Sequence, residues 1–269
     1  MSVLEYVIML LAEIHGKTVR EAQTSEDLLT SAVFSHLRYL PPSIFWPELI
    51  AAARQLDSTS EYGKSLHAEL KTLNIEIARY QVLDVAFWSA YDGYGEPDLI
   101  LTFKGGGQKA LLLLIEVKFR SRKSGTGEDD QLVRYLRLLD EPYSGLRKQI
   151  PDSLNYLIYL TWHDATSEIE DSLAIRSGST IFSLQWQDIY AVANDLSHRA
   201  IQSASDLMPR LILGDVALFL RHRRLEYFRG FSQPDLAEGV SGLFYKPSFF
   251  RNRGLGADIT VELGGWMNV

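Results

Sequence analysis

Cysteine is absent from this chain of 269 residues. Its absence excludes disulfide scaffolds, thiolate zinc sites and cysteine nucleophiles, and it fits a reducing cytoplasm. Long apolar runs are also absent: residues 3–14 are interrupted by Glu5 and Glu13 and follow no basic leader. They predict an amphipathic helix, and neither a signal peptide nor a membrane span. We therefore expect a cytoplasmic protein that does not enter a membrane.

Basic charge is in deficit, with a net charge of −7, which argues against a surface that coats nucleic acid broadly. The glycine-lysine loop of nucleotide-binding proteins, the paired histidines of zinc proteases and the glycine-flanked serine of hydrolases are all missing. These absences leave the acidic residues beside apolar strands as the main candidates for chemistry.

The apolar pattern predicts an α/β fold, a mixed β-sheet flanked by helices. We expect strands at 82–89, 99–101, 111–117, 156–161 and 181–184, and helices at 3–15, 26–39, 46–56, 61–73, 186–196 and 211–228. Residues 1–194 form a core with N-terminal helices in this interpretation. Residues 195–269 form a C-terminal extension that is helical and rich in aromatic residues.

Two acids stand beside the most apolar strands of the chain. Asp98 precedes one strand, and Glu116 ends the next, directly after four leucines and an isoleucine. Side chains alternate along a strand, so Glu116 and Lys118 share one face. Because burying charge there costs several kcal/mol unless something offsets it, the arrangement indicates a metal site. Carboxylate oxygens suit Mg²⁺, and Mn²⁺ is a natural substitute.

Pro97-Asp98 followed by Glu116-Val117-Lys118 resembles the PD-(D/E)xK nuclease signature. A predicted helix follows, in which Gln131 and Tyr135 lie four residues apart on one face. This pair is similar to the Gln-x-x-x-Tyr element of the exonuclease-like branch of that superfamily. The resemblance covers about residues 25–190. It implies a restriction-endonuclease-like fold and a metal-dependent enzyme that hydrolyses DNA phosphodiester bonds.

The resemblance also implies a role for each matched residue. Asp98, Glu116 and the carbonyl of Val117 would hold the metal, which would lower the pKa of bound water and screen the phosphate charge. Lys118 would stabilise the developing negative charge or orient the water; losing such a group costs roughly 2.7–4 kcal/mol of transition-state stabilisation. Gln131 would help to hold the metal water or Lys118, and Tyr135 would contact the DNA backbone.

An early helix offers a further acid. Ser25 is a good N-cap, and Glu26 begins a stripe that continues through Leu29, Val33 and Leu37. Glu26 therefore lies at the end of the face that points into the core, where it would contact the metal or its water. The alternative is a first-turn acid that complements the helix dipole, worth roughly 0.3–1 kcal/mol.

Each motif residue also has a plain structural interpretation. Asp98 fits an Asx turn after Pro97, and Glu116 with Lys118 fits an exposed pair worth about 0–1 kcal/mol. At the level of the whole chain, the alternatives to a free nuclease are a non-catalytic module that binds nucleic acid or protein, and a nuclease active only within a partner complex.

Two basic segments follow the predicted core. The run 221–224 is most simply a solvated face, whereas 246–253 mixes basic and aromatic residues and suits either stacking on unpaired bases or a subunit contact. We expect DNA as the partner. A homodimer or a protein partner bound through residues 195–269 stays open, because cutting both strands of a duplex needs two active sites.

Overall fold

The structure, a computed structural model, describes residues 25–56, 62–199 and 204–227. The predicted helix over 3–15 and the basic-aromatic segment 246–253 lie outside the described residues. The described helices are α1 (Glu26–Leu37), α2 (Trp46–Ala52), α3 (Leu66–Thr72), α4 (Gln131–Asp140), α5 (Gly145–Gln149), α6 (Thr166–Ile175), α7 (Trp186–Ser197) and α8 (Leu207–His222). The described strands are β1 (Arg54–Leu56), β2 (Tyr62–Ser65), β3 (Val82–Phe87), β4 (Leu99–Lys104), β5 (Leu111–Val117), β6 (Leu154–Thr161) and β7 (Ile181–Gln185).

The described strands form one sheet in the order β2-β1-β7-β6-β5-β4-β3. Strands β3, β4 and β5 pair antiparallel, whereas β5, β6 and β7 pair parallel. Short antiparallel strands β1 and β2 complete the edge next to β7. The predicted mixed sheet flanked by helices is therefore confirmed.

Strand β5 lies in the interior of the sheet, between β6 and β4, and is buried along its whole length. Its odd-numbered residues join the larger core cluster with residues of α1, α2, α7 and α8. Leu112 and Leu114 join a second cluster on the opposite face, with residues of α4 and α6. A strand that is apolar on both faces is stable only when helices cover both faces of the sheet. Because side chains alternate along β5, Glu116 lies on the same face as Leu112 and Leu114, towards α4.

Side-chain caps fix the start of the two helices nearest the predicted site. Ser25 Oγ accepts a hydrogen bond from Leu28 N at 3.2 Å, as the N-cap prediction for α1 requires. Asp130 Oδ1 accepts from Leu132 N at 2.9 Å and from Val133 N at 3.2 Å at the start of α4. Both helices therefore begin at defined residues beside the end of β5.

Several element boundaries differ from the predictions. The helix predicted over 46–56 ends at Ala52, because the chain turns into β1 and pairs with β7. The helix predicted over 61–73 is divided into β2 and α3, with Ser65 capping α3 through a 3.1 Å bond to Ala68 N. Helices α5 and α6 were not predicted.

Helix α8 packs into the main core through Leu213, Val216, Ala217 and Leu220. It begins at Leu207, four residues before the predicted start, and ends at His222. The predicted domain boundary after residue 194 falls inside α7, and the described residues on both sides of it belong to one compact unit. The described part of the predicted extension is thus continuous with the core. Among the described residues, no helix has both the length and the apolar character needed to cross a membrane.

Candidate active site

Asp98 and Glu116 face each other across β4 and β5. Leu99 is paired with Ile115, and one further step in the antiparallel register places Asp98 opposite Glu116. Both acids are buried, with 8% and 1% of their surface exposed. Asp98 Oδ2 accepts a hydrogen bond from Val117 N at 2.9 Å, which ties the two strand ends together. Like charges directly opposite each other destabilise a sheet, so this pair is stabilised either by a cation beside it or by a proton on one of the two acids.

The environment opposes ionisation of both acids. Burial raises the pKa of Asp98 to about 6, against the opposing effects of the Lys118 charge and the Val117 N–H. Burial, followed by the negative charge of Asp98, raises the pKa of Glu116 well above its ordinary value. In the described part of the chain, Glu116 Oε2 is buried and has no hydrogen-bond partner beyond the Asp98 carboxyl. The pair therefore resembles a cation site more closely than an Asx turn with an exposed ion pair.

Lys118 lies beside the two acids and is itself largely buried, with 9% of its side chain exposed. Its Nζ donates a short hydrogen bond to Glu116 Oε1 and lies 3.4 Å from Glu26 Oε1. Burial alone lowers the pKa of Lys118, but the charges of Glu116 and Glu26 outweigh it and raise that pKa to about 12. The ammonium group is therefore positively charged at any physiological pH.

Glu26 joins the cluster from the first turn of α1. Its Oε2 accepts from Phe119 N at 2.6 Å and from Ser121 Oγ at 2.8 Å, while Oε1 faces Lys118. The predicted inward position of Glu26 is thus found, 92 residues away from Lys118 in the chain. Glu26 holds the segment after β5 and orients the lysine.

Gln131 and Tyr135 lie on one face of α4, as their spacing predicted. Gln131 Nε2 donates to the Tyr135 hydroxyl at 3.2 Å, and Gln131 Oε1 accepts from Ser124 Oγ at 3.2 Å. The hydrogen bonds of Gln131 thus run to Tyr135 and Ser124 and not to Lys118. Burial, followed by the negative charge of Glu116, raises the pKa of Tyr135, so its hydroxyl stays protonated beside the acid pair.

A second buried polar network, which the sequence did not predict, holds the segment between β5 and α4. Lys123 Nζ contacts Asp130 Oδ2 at 2.5 Å and Ser172 Oγ at 2.8 Å. Lys123 N donates to Glu168 Oε2 at 3.0 Å, and Tyr159, which pairs with Glu116 across β5 and β6, donates to the same oxygen at 2.7 Å. The network connects β6 and the segment after β5 to α4 and α6.

The protein groups suit a divalent cation bound largely through water. Mg²⁺ commonly uses one or two carboxylates and keeps several waters, and Asp98 and Glu116 provide such a pair. Such an ion would compensate the negative charge of these two buried, adjacent acids. Among the described residues, no group of three or more His, Cys, Asp or Glu side chains is arranged to hold a metal. Both carboxylate oxygens of Glu26 are occupied by Lys118, Phe119 N and Ser121 Oγ, which is the arrangement of a positioning residue; a metal contact by Glu26 and by the Val117 carbonyl stays a prediction.

Comparison with known proteins gives no relatives. A scan against protein-family models, a search of curated proteins and a search of solved structures each found no significant match.

Proposed function

We propose that this protein is a metal-dependent nuclease that hydrolyses DNA phosphodiester bonds. The observation that carries the proposal is the buried convergence of Asp98, Glu116 and Lys118 at the shared end of β4 and β5. The resemblance of these residues to the PD-(D/E)xK signature supports it, as does the Gln131–Tyr135 pair on the next helix. A restriction-endonuclease-like arrangement of the sheet is part of the same proposal.

Hydrolysis forms a P–O bond to a water oxygen and breaks the P–O bond to one sugar oxygen, which takes up a proton. A divalent cation held by Asp98 and Glu116 would supply Lewis-acid activation and charge neutralisation at the phosphate. Lys118 presents a permanent positive charge in a dry setting, where it stabilises negative charge on the phosphate strongly. Glu26 fixes the position of that ammonium group.

Tyr135 adds a neutral donor to the site. Tyr135 is almost fully buried, and its protonated hydroxyl, oriented by Gln131, would donate a hydrogen bond to a phosphate oxygen that reaches the acid pair. Gln131 is in turn anchored to Ser124 in the segment after β5. These contacts make α4 the second wall of the site, and they assign Gln131 to orienting Tyr135.

A non-catalytic binding module on the same fold is the second candidate. The ion pair between Lys118 and Glu116 favours it, because that contact compensates one buried acid without any metal. Such a module would bind DNA in a salt-sensitive manner and would show no turnover with Mg²⁺.

Cleavage of a panel of DNAs tests the proposal. Linear duplex, closed circle, single strand and branched junction are incubated with Mg²⁺, Mn²⁺ or chelator, using the wild type, Asp98→Asn and Lys118→Met. We expect metal-dependent cutting that falls by about 10²-fold or more in each variant. Asp84→Asn is the matched control, because Asp84 lies on β3 with 58% of its side chain exposed. Cutting that is equal in all four proteins, or absent from all, would overturn the proposal.

A further inference from the structure

Arg134 lies on α4 between Gln131 and Tyr135, the two residues that form the second wall of the site. It follows Gln131 by three residues, so the two side chains are neighbours on the helix surface. In the described part of the chain, Arg134 Nε is buried without a hydrogen-bond partner, and the guanidinium forms no ion pair. A guanidinium is always charged and has only donors, so this group is left without the anion that it suits.

The acid that would ordinarily pair with Arg134 is bound elsewhere. Asp130 lies four residues earlier on α4, at the spacing that favours an ion pair on a helix. Its Oδ1 instead caps the helix, and its Oδ2 contacts Lys123 Nζ at 2.5 Å. The next arginine of the helix is paired in the usual way, since Arg137 Nε donates to Glu141 Oε1 at 3.0 Å. The fold thus satisfies one arginine of α4 and leaves the one beside the site unpaired.

The guanidinium of Arg134 approaches the loop that leads from β3 into Asp98. A Cβ built on Gly95 would lie 3.7 Å from the Tyr135 hydroxyl oxygen and 3.8 Å from Arg134 Nη2. Both donors therefore lie within 3.8 Å of one point. Gly95 is exposed, whereas Asp98, three residues later, is buried in the acid pair. Arg134 Nη2 and the Tyr135 hydroxyl thus meet the loop between the solvent and the acids.

Hydrogen bonds hold this loop in a fixed position against α4. Tyr91 N donates to Gly95 O at 2.8 Å, Gly95 N donates to Tyr91 O at 3.0 Å, and the Tyr94 hydroxyl donates to Glu141 of α4. The φ of Gly95 is +104°, which other residues rarely adopt, so glycine is needed for this turn. Because glycine has no side chain, the loop adds nothing at this position that would fill the space next to the two donors.

We propose that Arg134 binds the DNA phosphate to which Tyr135 donates. This inference rests on the proposed function for the nature of the ligand. Charged N–H donors bond phosphate oxygens at about 2.7–2.9 Å, and two donors this close together are able to bond different oxygens of one phosphate. A net charge of −7 makes most of the protein surface repel DNA, so an unpaired cation beside the site supplies attraction where the strand has to bind.

DNA binding in the presence of chelator tests this contact without any cleavage. The affinities for a fluorescent single strand and a fluorescent duplex are measured from 50 to 300 mM NaCl for the wild type, Arg134→Met and Arg134→Lys. We expect Arg134→Met to bind the preferred DNA about tenfold more weakly at 50 mM salt and to reduce the slope of log K against log [salt] by about 1. Arg134→Lys keeps the charge but loses the planar fork, so it should keep the slope and lose part of the affinity.

Two controls keep the outcome interpretable. Arg199→Gln makes the same charge change at an exposed arginine that pairs with Glu48 at 3.2 Å, just beyond the far end of α7, about 18 Å of helix from the sheet edge that carries the site. It is expected to bind like the wild type. The urea midpoint of Arg134→Met should not fall, because the guanidinium makes no hydrogen bond in the described part of the chain. If the midpoint falls nevertheless, the slope measured for Arg134→Lys decides the outcome.

Unchanged affinity and slope in Arg134→Met would overturn the contact. Equal weakening in Arg199→Gln, a wild type that does not bind DNA, or a slope that falls as far in Arg134→Lys as in Arg134→Met would also overturn it. Binding that depends on Arg134, together with no cleavage in any metal, would support the contact and overturn only the nuclease. Metal-dependent cleavage by the wild type, together with normal binding by Arg134→Met, would overturn the contact and leave the nuclease standing.

Discussion

Replacing Asp98 by Asn is expected to stabilise the metal-free protein. The carboxyl is buried opposite Glu116, and its ionisation is opposed by burial. An asparagine side chain keeps an oxygen that accepts from Val117 N, and it removes the negative charge. A substitution that is expected to abolish activity should therefore strengthen the fold, as is typical where a site is strained for function.

The size and the pH dependence of this gain follow from the pKa. A value raised from 3.8 in the unfolded chain to about 6 in the fold corresponds to a cost of about 3 kcal/mol at high pH. Because the folded value is the higher one, the cost is absent below about pH 3.8 and complete above about pH 6. The variant should therefore gain up to about 3 kcal/mol at pH 8 and converge with the wild type near pH 4.

Urea unfolding from pH 4 to 8, with chelator present, measures the gain. The buried Trp46 and Trp186 report loss of the core by fluorescence. Asp84→Asn, at an exposed ion pair with Lys104, should change the free energy of unfolding by less than about 0.5 kcal/mol. A loss of stability in Asp98→Asn at pH 8, or a gain that does not depend on pH, would refute the reasoning.

Substitutions at three further residues give predictions for the same assay. Lys118→Met leaves Glu116 buried without its cation, so it should lower the free energy of unfolding by about 3 kcal/mol at pH 8. The loss should be smaller at pH 5, where the Glu116 carboxyl is neutral, and a larger loss at pH 5 would contradict this. Asp130→Ala removes the N-cap of α4 and the partner of buried Lys123, so it should lower the free energy of unfolding by about 3 kcal/mol. Asp130→Asn keeps the cap and should cost less. Equal losses in the two variants would show that the cap contributes little. Arg224→Gly should stabilise the protein by about 1 kcal/mol, because Arg224 follows α8 with a φ of +60° and glycine suits that left-handed backbone; destabilisation would contradict this reasoning.

The sequence predicted those parts of the fold that depend on local pattern. The apolar run of β5 and the cap and stripe of α1 each carry their signal within a dozen residues, and both elements are found. Strands β1 and β2 carry no such signal: they are three and four residues long, and β1 is defined by pairing with β7 more than 120 residues away. Helix α6 was missed because it lacks a clear apolar stripe, with Ile169 its main anchor in the core.

The same distinction applies to the site. Asp98, Glu116 and Lys118 come together because one β-hairpin fixes their register, and such a hairpin can be predicted from the sequence. The contact of Glu26 with Phe119 spans 93 residues, and only the inward stripe of α1 suggested it. The contact of Lys123 with Glu168 joins segments with no local relation, so tertiary structure alone reveals it.

The central claim is that Asp98 and Glu116 together bind a divalent cation. Calorimetric titration with Mn²⁺ at pH 6, in two buffers of different ionisation enthalpy, tests it directly. We predict binding by the wild type with release of protons from the acid pair, unchanged binding by Asp84→Asn, and binding at least tenfold weaker in Asp98→Asn. Binding of equal strength in Asp98→Asn, or no binding by the wild type, would contradict the account.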